Sequence, residues 1–220
     1  MGREERATLR SIVRPGMTVL DVGANLGLYT VLFARLVGVT GRVIAFEPDP
    51  SLFALLQRNT ALNNCSNVTT HNLALGSRND HAVLRKTIFN SGDNTLGSDN
   101  KCRFRREVPI DVVALDEFSP ALRVDLVKID VQGWEFEVLL GMDRVLAACP
   151  HARIYFELWP DGLDRAKRTP AEMAGWLRSR GYRIYHAASG SELDEAGFLA
   201  LASRLKGMKH ADLLAARQGA

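Results

Sequence analysis

Four acids in this chain close short apolar runs, where a carboxylate is costly unless it has a partner or faces a cleft. Asp21 precedes the glycine-bearing turn of VLDVGANLG, Glu47 stands in FEPDP, Asp130 in KIDVQGWE and Glu157 in IYFELWP. Gly23 and Gly27 let the backbone turn tightly and approach a ligand, and the helical segment that follows offers free N–H groups suited to a carboxylate. Asp21 is positioned to take an ammonium group, directly or through water, and Asn25 to add a hydrogen bond. Glu47 ends the next apolar run, where a carboxylate accepts from both hydroxyls of a ribose. Together these motifs make S-adenosylmethionine the leading ligand. The fingerprint G-x-G-x-x-G is absent, because Gly23 is followed by Ala24, Asn25 and Leu26, and this disfavours NAD.

A sulfonium methyl group is already activated, so a protein that uses it must align an incoming oxygen and remove its proton. Asp130 and Glu157 are the candidates for that base or for orienting the hydroxyl. Lys128, on the strand face of Asp130, and Glu135, at the start of the next helix, stand behind them as substrate contacts. His71 is a further candidate base, although a lone His at a strand end is more often structural. Asp130 with Glu157 could instead hold Mg²⁺, a reading not favoured. Cys65, Cys102 and Cys149 lack C-x-x-C spacing, so no thiolate metal site is expected. The polar stretch from Lys86 to Val108 is read as a long loop near the site, flanked by short strands, and its part from Asn90 to Asn100 as a cover for the substrate, with Asn94 and Thr95 as possible contacts. Arg103, Arg105 and Arg106 form a basic cluster without interleaved aromatics, which reads as a solvated edge at least as well as an RNA contact. Trp134, Trp159 and Trp176 could stack on a sugar, with Trp176 better suited to core.

These residues need a scaffold. Runs at Val19–Val22, Val43–Phe46, Val68–Leu73, Leu126–Val131, Arg153–Leu158 and Arg183–His186 read as buried strands, alternating with helical segments at Leu26–Leu36, Ser51–Asn63, Trp134–Ala148 and Pro170–Arg180. That alternation predicts an α/β protein with parallel strands and crossover helices on both faces. Ser51 is expected to cap the second helix. Thr169-Pro170-Ala171-Glu172 has the form of a capping box, and Gly181 stops that helix. A short helix is expected around Glu195–Leu205, and Ala211–Ala216 as a last strand, antiparallel at the sheet edge.

At 220 residues, one domain is expected, with its core over about residues 15–217. Hydrophobic residues make up 46% and charged residues 24%, a balance that disfavours long disordered or membrane-embedded regions. No apolar run is long enough for a membrane span, MGREERATLR lacks the apolar stretch of a secretory signal, and Arg6 rules out a myristoylation motif. A cytoplasmic location fits. The net charge of +3 is too small to drive binding to nucleic acid or anionic lipid, so neither is expected as a partner.

The series VLDVGANLG, FEPDP, ALNN at Ala61 to Asn64, LALGS at Leu73 to Ser77, KIDVQGWEFEVLLG at Lys128 to Gly141 and YFEL at Tyr155 to Leu158 resembles the FkbM family of S-adenosylmethionine-dependent methyltransferases. The resemblance implies a Rossmann-like three-layer sandwich around a seven-stranded, mostly parallel sheet with an antiparallel edge strand. It further implies methyl transfer to a hydroxyl of a sugar, natural product or related small molecule. Carried over by position, Asp21, Gly23, Asn25 and Gly27 would hold the methionine moiety, Glu47 the ribose, and Ala74 and Leu75 would lie near the adenine. Gln132 stands where the family usually has Glu, which bears on the substrate rather than the cofactor. The tetrapeptide N-P-P-Y of many nitrogen-directed enzymes does not occur, which favours oxygen. The alternatives are RNA methylation, an NAD-dependent oxidoreductase on the same type of sheet, and a catalytically silent binding module.

Overall fold

Runs of β-branched and large apolar residues form strands here because both faces of the sheet they build are covered by helices. In the computed structural model, which describes residues 3–87 and 104–219, α1 (Arg3–Ile12) precedes β1 (Thr18–Val22), α2 (Leu28–Val37), β2 (Arg42–Phe46), α3 (Pro50–Leu62), β3 (Val68–His71) and the short β4 (Ala74–Leu75). Then come β5 (Asp80–Thr87), β6 (Phe104–Val113), α4 (Leu115–Phe118), β7 (Leu126–Ile129), α5 (Glu135–Leu140) and α6 (Asp143–Ala147). The chain continues through β8 (Arg153–Leu158), α7 (Pro160–Arg165), α8 (Pro170–Ser179), β9 (Tyr182–His186), β10 (Glu192–Leu193), α9 (Glu195–Arg204) and β11 (Ala211–Arg217).

The main sheet runs β10-β9-β11-β8-β7-β1-β2-β3. Neighbours from β8 to β3 are parallel, and β1 lies between β7 and β2, where the strand order reverses. In open α/β sheets ligands sit above that point. One face packs Val19, Val43 and Tyr155 under Leu9, Phe33 and Val37; the other packs Leu20, Val127 and Phe156 under helices that contribute Phe136, Leu139 and Leu177. Among the described residues no helix is long and apolar enough to cross a membrane.

The expected architecture stands, with local revisions. The last strand, β11, is antiparallel but sits two places inside the rim, between β8 and β9, and the two-residue β10 takes the edge. The segment expected as one helix from Trp134 to Ala148 breaks into α5 and α6 at Gly141. A Cβ there would stand 1.8 Å from the Gly76 carbonyl oxygen, so the break follows from close backbone packing. The second helix is capped by Asp49 rather than Ser51: its side chain accepts from the Ser51 and Leu52 N–H groups, and Pro50 opens the helix. The capping box at Thr169 and Glu172 forms. Two features go beyond the expectation, the first helix and the length and pairing of the strands beside the polar stretch. Helix α1 buries Leu9 and Ile12 while Arg6 and Arg10 stay exposed, and too few apolar residues occur in it to reveal a period. A second sheet, β4-β6-β5, pairs the long arms that flank the polar stretch. Asn94, Thr95 and Arg103 lie outside the described residues; Arg105 and Arg106 lie on β6.

Candidate functional site

The register of the sheet decides which side chains meet. Asp21 lies opposite Lys128, Lys128 opposite Tyr155, and Glu157 opposite Asp212. Because alternate residues share a strand face, one face of the sheet carries Asp21, Lys128 and Tyr155, with Asp130, Glu157 and Asp212 at its rim.

Above the turn after β1 is a cavity of about 730 Å³, counting its open mouth; its lining includes Gly23, Asn25, Glu47, Leu75, Asp130 and Trp134. Gly23 has φ +77°, and a Cβ on it would stand 2.0 Å from the Asp130 carbonyl oxygen, so only glycine lets this turn close against the end of β7. Asn25 also takes the left-handed region, at φ +51°. Its N–H donates to Glu47 Oε2 at 2.7 Å, while its side-chain Oδ1 is buried without a hydrogen-bond partner. Glu47 Oε1 accepts from the Asp49 N–H at 2.9 Å. Burial pushes the Glu47 carboxyl up to about 7, against the pull of these two N–H groups.

The expected cofactor contacts divide. Gly23, Asn25, Glu47, Ala74 and Leu75 line the cavity. Asp21 does not. It is fully buried beneath the turn, accepts from Thr30 Oγ1 at 2.6 Å and stands 3.7 Å from Lys128 Nζ. An acid on the sheet face is covered by α2, whereas the turn residues after it reach the opening. Gly27 also stays off the lining; its φ is +83°, and a Cβ there would meet Leu56 Cδ1 at 2.6 Å, so it serves the packing of α2 on α3.

Asp130 also lines a second, polar chamber of about 460 Å³, together with Tyr29, Lys128, Tyr155, Glu157 and His210 among others. Lys128 Nζ lies 3.3 Å from Asp130 Oδ2 and 4.8 Å from the centre of the Tyr29 ring. Burial works against the charge of Asp130, but the Lys128 ammonium and the Gln132 amide outweigh it and hold the carboxyl below its ordinary range. Glu157 goes the other way, pushed up to about 9 by burial and by the charges of Asp130, Glu135 and Asp212. Gln132 Nε2 donates to Asp130 Oδ1 at 3.1 Å and to Glu157 Oε2 at 3.3 Å, and His210 Nε2 stands 3.4 Å from Glu157 Oε1. Two carboxyl groups with opposed titration are thus held side by side, an arrangement suited to moving a proton.

Other expectations are revised. Glu135 is fully buried, and its Oε1 accepts from the N–H groups of Val131 and Gly133, so it clamps the turn after β7 and lines neither cavity. His71 stacks on Phe46 and meets Phe118 edge-on, away from both cavities. Trp134 lines the first cavity, while Trp159 is buried and donates to the Gly207 carbonyl, and Trp176 packs on Phe136. Among the described residues no three His, Cys, Asp or Glu side chains are grouped to hold a metal ion. Sequence reasoning missed His210 and Asp212, because only the antiparallel entry of β11 beside β8 brings them to Glu157.

The Methyltransferase FkbM domain matches residues 21–184. This chain belongs to that family. It is 32% identical over 145 residues to Methyltransferase 1 of Beauveria bassiana (strain ARSEF 2860), covering 57% of this chain and 58% of the relative. The chain spans less than two thirds of the length of the curated relatives it matches. In fold it is similar to the methyltransferase FkbM from Methylobacillus flagellatus KT, with a TM-score of 0.55 at 16% identity, covering 93% of this chain and 48% of that one. It is also similar to a SAM-dependent methyltransferase from Aquifex aeolicus, with a TM-score of 0.52 at 17% identity, covering 97% and 88%. The fold is that of S-adenosylmethionine-dependent methyltransferases, and the family match sets the NAD-dependent alternative aside. The Glu47 cavity fits that cofactor: the unpartnered Asn25 Oδ1 awaits a donor, and each Glu47 oxygen keeps a lone pair for a hydroxyl.

Proposed function

We propose that this protein is an S-adenosylmethionine-dependent methyltransferase that acts on a hydroxyl group of a small molecule, such as a sugar or natural product. The observation that carries this reading is Asp130 as a shared wall, with the Glu47 cavity on one side and the Glu157 chamber on the other. Gly23 and Asn25 hold the amino-acid end of the cofactor, Glu47 its ribose, and Ala74 and Leu75 border its base. Asp21 supports the turn from below through Thr30 and Lys128. When bound, S-adenosylmethionine supplies a methyl group activated by its sulfonium centre.

The chain supplies position and proton transfer. Asp130, kept ionised by Lys128, accepts a hydrogen bond from the incoming hydroxyl and orients it. Glu157 is the stronger base of the two and takes the proton that the acceptor oxygen releases. Gln132 donates to both carboxyl groups and fixes their separation. Trp134, Leu75 and Leu84 give the Glu47 cavity an apolar wall.

The test is calorimetric titration with S-adenosylhomocysteine, followed by transfer of a labelled methyl group to a panel of hydroxylated metabolites and to bulk RNA. Cofactor binding with label in hydroxylated metabolites is expected. Label confined to RNA would replace the acceptor class, and cofactor binding without transfer would favour a silent binding module.

A further inference from the structure

The polar chamber gathers Glu5, Asp130, Glu157 and Asp212 around Lys128 and His210. Lys128 faces Asp21 and Asp130 and is occupied by them. Glu157 has His210 beside it. Asp212 makes no ion pair among the described residues and is half-buried, next to the chamber's Glu5. For this carboxylate His210, already beside Glu157, and the Tyr155 hydroxyl offset only part of the loss of hydration. Burial and the nearby Glu5 carboxylate push Asp212 up to about 6, so it is still largely ionised at neutral pH.

Acids alone would not make a site. An independent sign comes from Tyr155, which lines the same chamber with a side chain only 2% exposed. Its hydroxyl makes no hydrogen bond of standard geometry; the group it faces is the Asp212 carboxyl, with which it shares a weak one. A buried hydroxyl left in this state costs free energy that a bound ligand would recover. Among the described residues no three His, Cys, Asp or Glu side chains are grouped to hold a metal ion, and a half-buried carboxylate beside a tyrosine hydroxyl suits an organic cation.

Resting on the proposed hydroxyl methylation, we infer that this chamber receives the acceptor, and that the acceptor carries a protonated amine recognised by Asp212 and Tyr155. The hydroxyl to be methylated faces Asp130 and Glu157, while the ammonium lies against β8 and β11. Amino sugars and amino alcohols have this chemistry.

The test measures binding to protein saturated with S-adenosylhomocysteine, using two matched trios: glucosamine, glucose and glucuronate, and 2-amino-1,3-propanediol, glycerol and glycerate. The amine of at least one trio should bind roughly tenfold more tightly than its neutral partner, with the acid weakest. Asp212→Asn should bring that preference below about threefold, and Tyr155→Phe should weaken the amine severalfold, both with unchanged affinity for S-adenosylhomocysteine. Equal binding of the neutral or acidic members, a preference that survives Asp212→Asn, no binding by either amine, or Mg²⁺ displacing the amine would each overturn the inference. Failure to bind S-adenosylhomocysteine would instead remove the cofactor reading beneath it.

Discussion

The Glu47 cavity takes its polar contacts from short stretches of chain: the turn after β1, the end of β2 and the turn after β7. The chamber beside Glu157 draws on Glu5 in α1, Tyr29 in α2, Tyr155 and Glu157 in β8, and His210 and Asp212 at the far end of the chain. The first has a mostly apolar wall interrupted by Glu47 and the shared Asp130; the second is nearly all polar. A wall of backbone turns with few charged side chains suits a cofactor of fixed shape. A chamber assembled from distant side chains is free to be altered residue by residue, which suits the acceptor. Where one motif serves many enzymes, the part that differs is the part built from scattered positions.

That division breaks first, if it is wrong, at Glu157. Glu157→Gln should lower kcat by about 10²- to 10⁴-fold while leaving S-adenosylhomocysteine affinity within about threefold, measured by steady-state kinetics and calorimetry. Equal losses in both would show that the two cavities do not separate cofactor from chemistry. Glu47→Ala should do the reverse, weakening S-adenosylhomocysteine by at least about tenfold, through lost charge-assisted hydrogen bonds worth roughly 1.5 to 3 kcal/mol.

Titration sharpens the contrast. The base must be unprotonated to act, so with Glu157 near 9 the rate should climb with pH toward about 9, by up to roughly tenfold per unit, and Glu157→Gln should flatten that limb. Cofactor hydroxyls donate to an ionised Glu47, so binding should release a proton. Affinity for S-adenosylhomocysteine should therefore fall below pH 7, by at most roughly tenfold per unit, and Glu47→Gln should abolish the trend. The smallest effect serves as a control outside both cavities. Asp194 caps α9 by accepting from the Gly197 N–H at 2.7 Å, and Asp194→Ala should cost about 1 kcal/mol of stability in a denaturant titration without changing cofactor affinity.

Much of the Glu47 cavity was legible in the sequence, because Gly23, Asn25 and Glu47 act through backbone turns and strand ends that local patterns mark. Asp21 shows the limit of such reading. Its place in the motif suggests ligand contact, yet the strand turns its carboxylate toward Lys128 and Thr30 under α2. Glu135 is a similar case, an acid that looks available and instead clamps the N–H groups of Val131 and Gly133.

By itself the sequence determined the alternation of the main strands and helices, the parallel sheet and the glycine turn at its switch point, because these follow from periodicity, capping residues and φ preferences acting over a few neighbours. Only the tertiary structure decided that β11 enters beside β8 and sets Asp212 opposite Glu157, and that Gln132 bridges two carboxyl groups. Strand pairing across long separations depends on register and on which face each side chain takes, and no local pattern carries that information.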